Sequence, residues 1–275
     1  MPLPFTKMHA LGNDFMILDC VEQNNLPDTK TITQWADRHR GVGFDQLLVL
    51  TPSHLPQVDF GYRIFNADGS EVNQCGNGAR CLALYARAHH LPPTARQCVL
   101  ATPTDELVCV YEDEQQVAVH MPEPAFALPE IPFEVDRPTV FTEPFTLVAV
   151  GNPHAVVSVT AIDSVNLSAW GEKITADSRF VQGVNLSIVQ RINDSEIHLR
   201  VYERGAGPTQ ACGSAACAAA AVGIAQGQLT SRVRVRQPGG DLTITWQGLG
   251  HPIEMLGEGV FVYHGNIIDS PTGQK

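Results

Sequence analysis

Two cysteines stand in matching surroundings. Asn73-Gln74-Cys75-Gly76-Asn77-Gly78-Ala79-Arg80-Cys81 and Thr209-Gln210-Ala211-Cys212-Gly213-Ser214-Ala215-Ala216-Cys217 each pass from a cysteine through a glycine and a small polar residue into a stretch that reads as helix. A thiol just before a helix start meets unpaired backbone N–H groups and the positive end of the helix dipole, which favour the thiolate and predict a lowered pKa. Two such thiols suit a reaction that inverts a carbon centre. One thiolate removes a proton from one face, and the other thiol delivers a proton to the opposite face. Removing the α-proton of an amino acid leaves charge on its carboxylate, and two helix N-termini would stabilise that anion with fixed N–H donors. Pyridoxal phosphate, the common alternative, requires a Schiff-base lysine. None of Lys7, Lys30, Lys173 and Lys275 lies in a motif, so no cofactor is expected.

Other polar residues fit as ligands of such a substrate. Asn13, Asn66, Asn152 and Asn185 with Gln46 offer donors and acceptors for ammonium and carboxylate groups, and Glu203-Arg204 sets a carboxylate beside a bidentate carboxylate clamp. The set suits a substrate with more than one zwitterionic end. Plainer readings stand beside these. Taken singly, Asn13 and Asn152 are turn residues, Glu203-Arg204 is a surface pair of little energetic value, and His154 is a structural histidine. A free cysteine is by default a small buried apolar residue, the reading for Cys20, Cys98 and Cys109 in strand patterns and for Cys81 and Cys217 within helices. Cys212 and Cys217 point about 140° apart on one helix, so they do not share a tetrahedral metal ion. No metal site is expected, and no Cys-x-x-Cys offers dithiol chemistry.

The elements that must position these residues recur along the chain. The first helix is expected from Asn77 to His90, stopped by Leu91-Pro92-Pro93, and the second from Ser214 to Ile224, ended by Gly227. The second is apolar on all sides and should be buried within its own sheet. A shorter helix is expected from Thr31 to Arg38 with Thr31 as N-cap. Strand patterns surround these helices in both halves. The order of polar stations also repeats. Gly12-Asn13-Asp14 matches Gly151-Asn152-Pro153, Asp45-Gln46-Leu47 matches Val184-Asn185-Leu186, Phe65-Asn66 matches Tyr202-Glu203, and Cys75-Gly76 matches Cys212-Gly213. The offsets are 139, 139, 137 and 137 residues. An ordered set of four at nearly constant spacing indicates an internal duplication. Between the halves, Met121 to Pro144 carries prolines at 122, 124, 129, 132, 138 and 144 and reads as a linker. The expected organisation is an α+β fold of two pseudo-symmetric β-rich domains, 1–120 and 121–257, each wrapped around a central helix. Facing each other, they would bring Cys75 and Cys212 to one cleft.

Composition narrows the setting. The chain has 275 residues, enough for two domains, with 44% hydrophobic and 17% charged residues, a globular balance. A net charge of −11 argues against nucleic-acid or anionic-membrane partners. Neither a signal-peptide pattern nor a span long enough for a bilayer is evident, so the expectation is a cytoplasmic protein with free thiols.

Gly12-Asn13-Asp14-Phe15, Phe65-Asn66-Ala67-Asp68-Gly69-Ser70-Glu71, the Cys75 motif, Gly151-Asn152-Pro153-His154, Gly183-Val184-Asn185 and Glu203-Arg204-Gly205 through Ser214 together resemble the diaminopimelate epimerase family, in its order and over almost the whole chain. The resemblance implies a cofactor- and metal-independent two-base epimerase that interconverts LL- and meso-diaminopimelate for lysine and peptidoglycan synthesis. It also implies two barrel-like domains, a tail (258–275) returning to the first, and a homodimer. By motif, Cys75 and Cys212 are the acid/base pair, with His154 and Glu203 beside them influencing protonation. Asn13, Gln46, Asn66, Asn152, Asn185, Glu203 and Arg204 would hold the substrate, with the backbone at Gly76-Asn77 and Gly213-Ser214. The second motif departs from the family pattern at Pro208, in place of a glutamate, and at Ala215, in place of a glycine. Pro208 would stiffen its loop and Ala215 narrow the anion cradle. The rival readings are a proline racemase-like or thiol-free enzyme of the same fold, and an amino-acid-binding protein without turnover.

Overall fold

The computed structural model describes residues 2–22, 26–73, 75–127 and 131–268; Gln74, Pro129 and residues 269–275 of the expected tail lie outside the described residues. The chain forms two compact units, one made by residues up to Val119 with those from Glu258 onward, the other by His120–Gly257.

In the first unit, β1 (Leu3–Ala10) pairs antiparallel with β2 (Asn13–Asp19). After α1 (Thr29–Ala36) the chain returns as β3 (Gln46–Pro52), parallel to β2 with Phe15 opposite Gln46. Strand β4 (Phe60–Asn66) runs antiparallel to β3, placing Asn66 opposite Gln46, and the short β5 (Glu71–Val72) pairs with β4. Helix α2 (Gly76–His89) then leads to β6 (Gln97–Ala101), parallel to β4, and to the antiparallel strands β7 (Glu106–Tyr111) and β8 (Gln116–Met121).

The second unit repeats this order. Strands β9 (Thr146–Ala149) and β10 (Pro153–Ser158) are antiparallel, and after α3 (Leu167–Thr175) β11 (Asn185–Arg191) lies parallel to β10 with His154 opposite Asn185. Strands β12 (Glu196–Glu203) and β13 (Gly207–Thr209) follow, then α4 (Gly213–Ala225), β14 (Arg232–Gln237) parallel to β12, β15 (Gly240–Thr245) and β16 (Ile253–Glu258). The last strand, β17 (Val260–Ile267), pairs antiparallel with β1. The fold is α+β, two β-rich halves of like order with a buried helix in each.

Local chemistry explains the helix ends. Asp28 caps α1, accepting the Thr31 N–H at 2.8 Å, so the cap stands three residues before the expected Thr31. A carboxylate preceding the first turn outcompetes a hydroxyl inside it. Asn166 caps α3 in the same way; Leu167, Trp170, Gly171 and Ile174 recur there at helical spacing, a signal that the sequence reading passed over. Helix α4 is buried from Ala215 to Gly223, and Gly227 (φ +68°) ends it in the left-handed conformation.

The proline-rich stretch is not a linker crossing between domains. It belongs to the second unit and packs on it. Ile131 and Phe141 are buried, and the Phe133 ring lies 5.0 Å from that of Phe180. Asp177 Oδ2 accepts from Thr139 Oγ1 (2.7 Å) and Phe141 N (3.1 Å). Prolines removed the periodicity, but the apolar side chains between them still found a core. Among the described residues no helix is long and apolar enough to cross a membrane.

Candidate active site

The expected residues of the first half gather at one end of its sheet because of register. Asn13 and Gln46 begin parallel neighbours, Asn66 ends the antiparallel strand beside them, and α2 starts at the same end. Cys75 is the N-cap of α2, and its sulfur accepts the Gly78 N–H at 3.3 Å. Gly76 and Asn77 open the helix, where backbone N–H groups have no intrahelical partner. Tyr62 holds the Cys75 carbonyl through its hydroxyl at 3.1 Å. Asn13 Oδ1 lies 3.9 Å from Cys75 Sγ and 3.5 Å from Asn77 Nδ2. Gln46 and Asn66 bond to each other, Nε2 to Oδ1 at 3.0 Å.

The second half builds the counterpart. Cys212 caps α4, followed by Gly213 and Ser214. The Ser214 hydroxyl lies 3.5 Å from Cys212 Sγ and 3.1 Å from His154 Nε2, and the same nitrogen is 2.8 Å from Asn152 Oδ1. His154 is fully buried, and burial alone lowers its pKa to about 3, so the ring is neutral near pH 7. Glu203 Oε1 accepts from Thr209 Oγ1 at 2.5 Å. Asn185 Oδ1 accepts the Arg204 backbone N–H at 2.9 Å, which leaves the Asn185 NH₂ as a donor.

Two expectations need correction. The Cys212 thiol is not held below its ordinary pKa. Burial pushes it well above that value, the Glu203 charge pushes the same way, and the Ser214 hydroxyl opposes too weakly to reverse this. A helix N-terminus contributes a fraction of a charge, whereas taking a thiolate out of water removes its whole solvation. The plain reading of Glu203-Arg204 as a surface ion pair also fails, since Arg204 does not bond to Glu203. Its exposed guanidinium turns back to the Gln182 carbonyl, and its Cδ lies 2.6 Å from where a Cβ on Gly183 would sit. Glycine there, at φ +74°, leaves room for the fold-back.

Some supporting residues escaped the sequence reading. Gln237 Oε1 accepts the Cys212 backbone N–H at 2.8 Å, and the Gly239 N–H reaches the Gln210 carbonyl at 2.8 Å, so the β14–β15 turn holds the Cys212 loop from outside any motif. Asp45 and Arg80, which stand inside the repeated motifs but were given no role there, bind Asn13 and Asn77. Among the described residues no cluster of histidine, cysteine and carboxylate side chains could hold a metal ion.

The chain matches the family model described as diaminopimelate epimerase over residues 5–127 and 146–262. In fold it is similar to a Bacillus anthracis phenazine biosynthesis protein of the PhzF family (17% identity, 98% of this chain and 99% of that one, TM-score 0.70). A hydroxyproline epimerase from Agrobacterium vitis with bound trans-4-hydroxy-L-proline is as similar (15%, 99% and 94%, 0.70). So is a predicted epimerase from Pseudomonas aeruginosa (14%, 98% and 100%, 0.69). With the family model covering both halves and a cysteine capping the central helix of each, the chain belongs to the diaminopimelate epimerase family.

Proposed function

We propose that this protein interconverts LL- and meso-diaminopimelate, without cofactor or metal, by proton transfer at one α-carbon. Family membership supports an isomerase. The observation that carries the two-base reading is the repeated cysteine cap, with polarity that differs between the halves. Cys212 lies by Glu203 and is held as the thiol, while the station matching Glu203 in the first half is the uncharged Asn66. In this reading the Cys75 thiolate removes the α-proton from one face, breaking C–H and forming S–H. Cys212 gives its S–H proton to the opposite face, and the two thiols exchange protonation states in each turnover. The helix N-terminal N–H groups at Gly76-Asn77 and Gly213-Ser214 would receive the carboxylate on which charge develops. His154, being neutral, serves as a hydrogen-bonding neighbour that orients Ser214.

Asn13, Gln46, Asn66, Asn152, Asn185 and Arg204 supply more polar groups than a one-ended amino acid such as proline would use, which favours a substrate with two zwitterionic ends. A homodimer in the cytoplasm belongs to the same proposal, and the exposed Phe261, Val262 and Tyr263 of β17 offer apolar surface for a second copy. The test is chiral separation of products from LL-diaminopimelate, L-proline and trans-4-hydroxy-L-proline incubated with reduced enzyme. Conversion of diaminopimelate alone is expected. Conversion of either cyclic amino acid in its place would move the chain to a proline racemase-like substrate, and none at all would favour a binding protein.

A further inference from the structure

Asn13 and Asn77 lie between charged groups that fix which way each amide points. Asn13 Nδ2 donates to Asp45 Oδ2 at 3.2 Å. That oxygen also accepts the Asp14 backbone N–H at 3.1 Å, and Asp45 Oδ1 accepts from Arg38 at 2.8 Å. At the other end Arg80, fully buried on α2, donates to Asn77 Oδ1 at 2.8 Å and to the Glu258 carbonyl at 3.0 Å. A guanidinium only donates, and a carboxylate bonded to one only accepts, so neither amide can be reversed without losing a charged partner. Asn77 therefore turns its NH₂ to Asn13 Oδ1, and Asn13 turns that carbonyl oxygen toward the Cys75 sulfur.

We propose that Asp45 is a positioning residue which, through Asn13, presents a carbonyl acceptor beside Cys75. This polarity receives an N–H of the substrate α-ammonium and the S–H of protonated Cys75. Its catalytic meaning rests on the two-thiol reading above, whereas the polarity itself is measurable without substrate. A reversed Asn13 would set its NH₂ against the sulfur, favour the thiolate and repel an ammonium group. Among the described residues, Tyr62 from β4, Cys81 and Arg80 of its own helix and Asp14 next to Asn13 also stand around Cys75, and these remain when Asp45 is replaced.

The test is the pH dependence of Cys75 alkylation by iodoacetamide, located by mass spectrometry, in wild type, Asp45→Ala and Asp45→Asn. Asp45→Ala should move the Cys75 curve down by about half a pH unit or more. It should also raise KM about tenfold with less change in kcat, the scale of one hydrogen bond to a charged group. Asp45→Asn keeps an oxygen acceptor and should retain the wild-type curve and KM. An unmoved curve in Asp45→Ala would overturn the proposal, as would Asp45→Asn moving as far as Asp45→Ala, since charge and not polarity would then be at work. If Asp45→Ala does not fold, Asp45→Ser, whose hydroxyl is too short to reach Asn13, carries the same comparison. An enzyme that turns over no amino acid would defeat the functional reading while the alkylation curves still decide this one.

Discussion

His154 occupies the station that the first repeat gives to Phe15, 139 residues earlier and likewise opposite the first residue of a parallel strand. A titratable ring in an apolar position stays neutral, at a pKa of about 3 against the ordinary 6.5. The unfolded chain takes up that proton first, so the contribution is full above about pH 6.5 and is lost as the pH falls toward 3. Urea unfolding at pH 7 and pH 5 should show wild type losing about 2 kcal/mol more than His154→Gln between the two. Equal losses would mean that the ring is not held neutral by the fold. The two thiols are tested separately. Cys75→Ala and Cys212→Ala should each lower epimerisation by about 10³-fold or more, because each removes one of the two proton carriers. A variant that kept wild-type rates would remove its cysteine from the mechanism.

The central helices carry the comparison between repeats further. Gly78 of α2 lies against β3 and β4, where an added Cβ would stand 2.3 Å from the Tyr62 hydroxyl and 3.1 Å from a Leu48 methyl. At the matching stations the second half has Ser187 for Leu48 and Leu199 for Tyr62, and there α4 carries Ala215. The departure from glycine at 215 is thus accompanied by smaller or less polar neighbours. Gly78→Ala should cost about 2 kcal/mol by overpacking, and part of that should return in the double variant with Tyr62→Phe. Ala215→Gly should cost about 1 kcal/mol. Urea titrations decide this, and a Gly78→Ala protein as stable as wild type would refute the packing account. Replacing Gln237 by Ala leaves the buried Cys212 N–H unpaired and should cost about 1–3 kcal/mol.

At this scale the sequence was informative where a residue type has one job. Cys-Gly before an apolar run located both helices to within a residue or two, and Gly227 marked the end of α4. It was silent on Gln237, a lone glutamine at a strand end whose role exists only through a loop 25 residues away. It misread 121–144 because prolines hide the apolar spacing that burial uses, and it misjudged the Cys212 thiol because a helix start is visible in sequence whereas desolvation is not.

For the whole molecule, one ordered set of strand pairings used twice accounts for most of the architecture, and the function proposed for it depends on how the copies differ. Parallel neighbours set Phe15 beside Gln46 and His154 beside Asn185 by the same register, with Asn13 and Asn152 two residues before them at the matching sheet ends. Yet one copy surrounds its cysteine with amides of fixed polarity, and the other with a neutral histidine, a hydroxyl and a carboxylate. Such an asymmetry settles which of two residues of the same type rests as the acid and which as the base, because environments that push two pKa values apart assign the roles. The most direct test is proton NMR of LL-diaminopimelate in D₂O with reduced enzyme and no added cofactor or metal. The account predicts loss of one α-proton signal to deuterium, in step with appearance of the meso isomer. Absence of exchange at the α-carbon, or exchange that leaves the configuration unchanged, would contradict it.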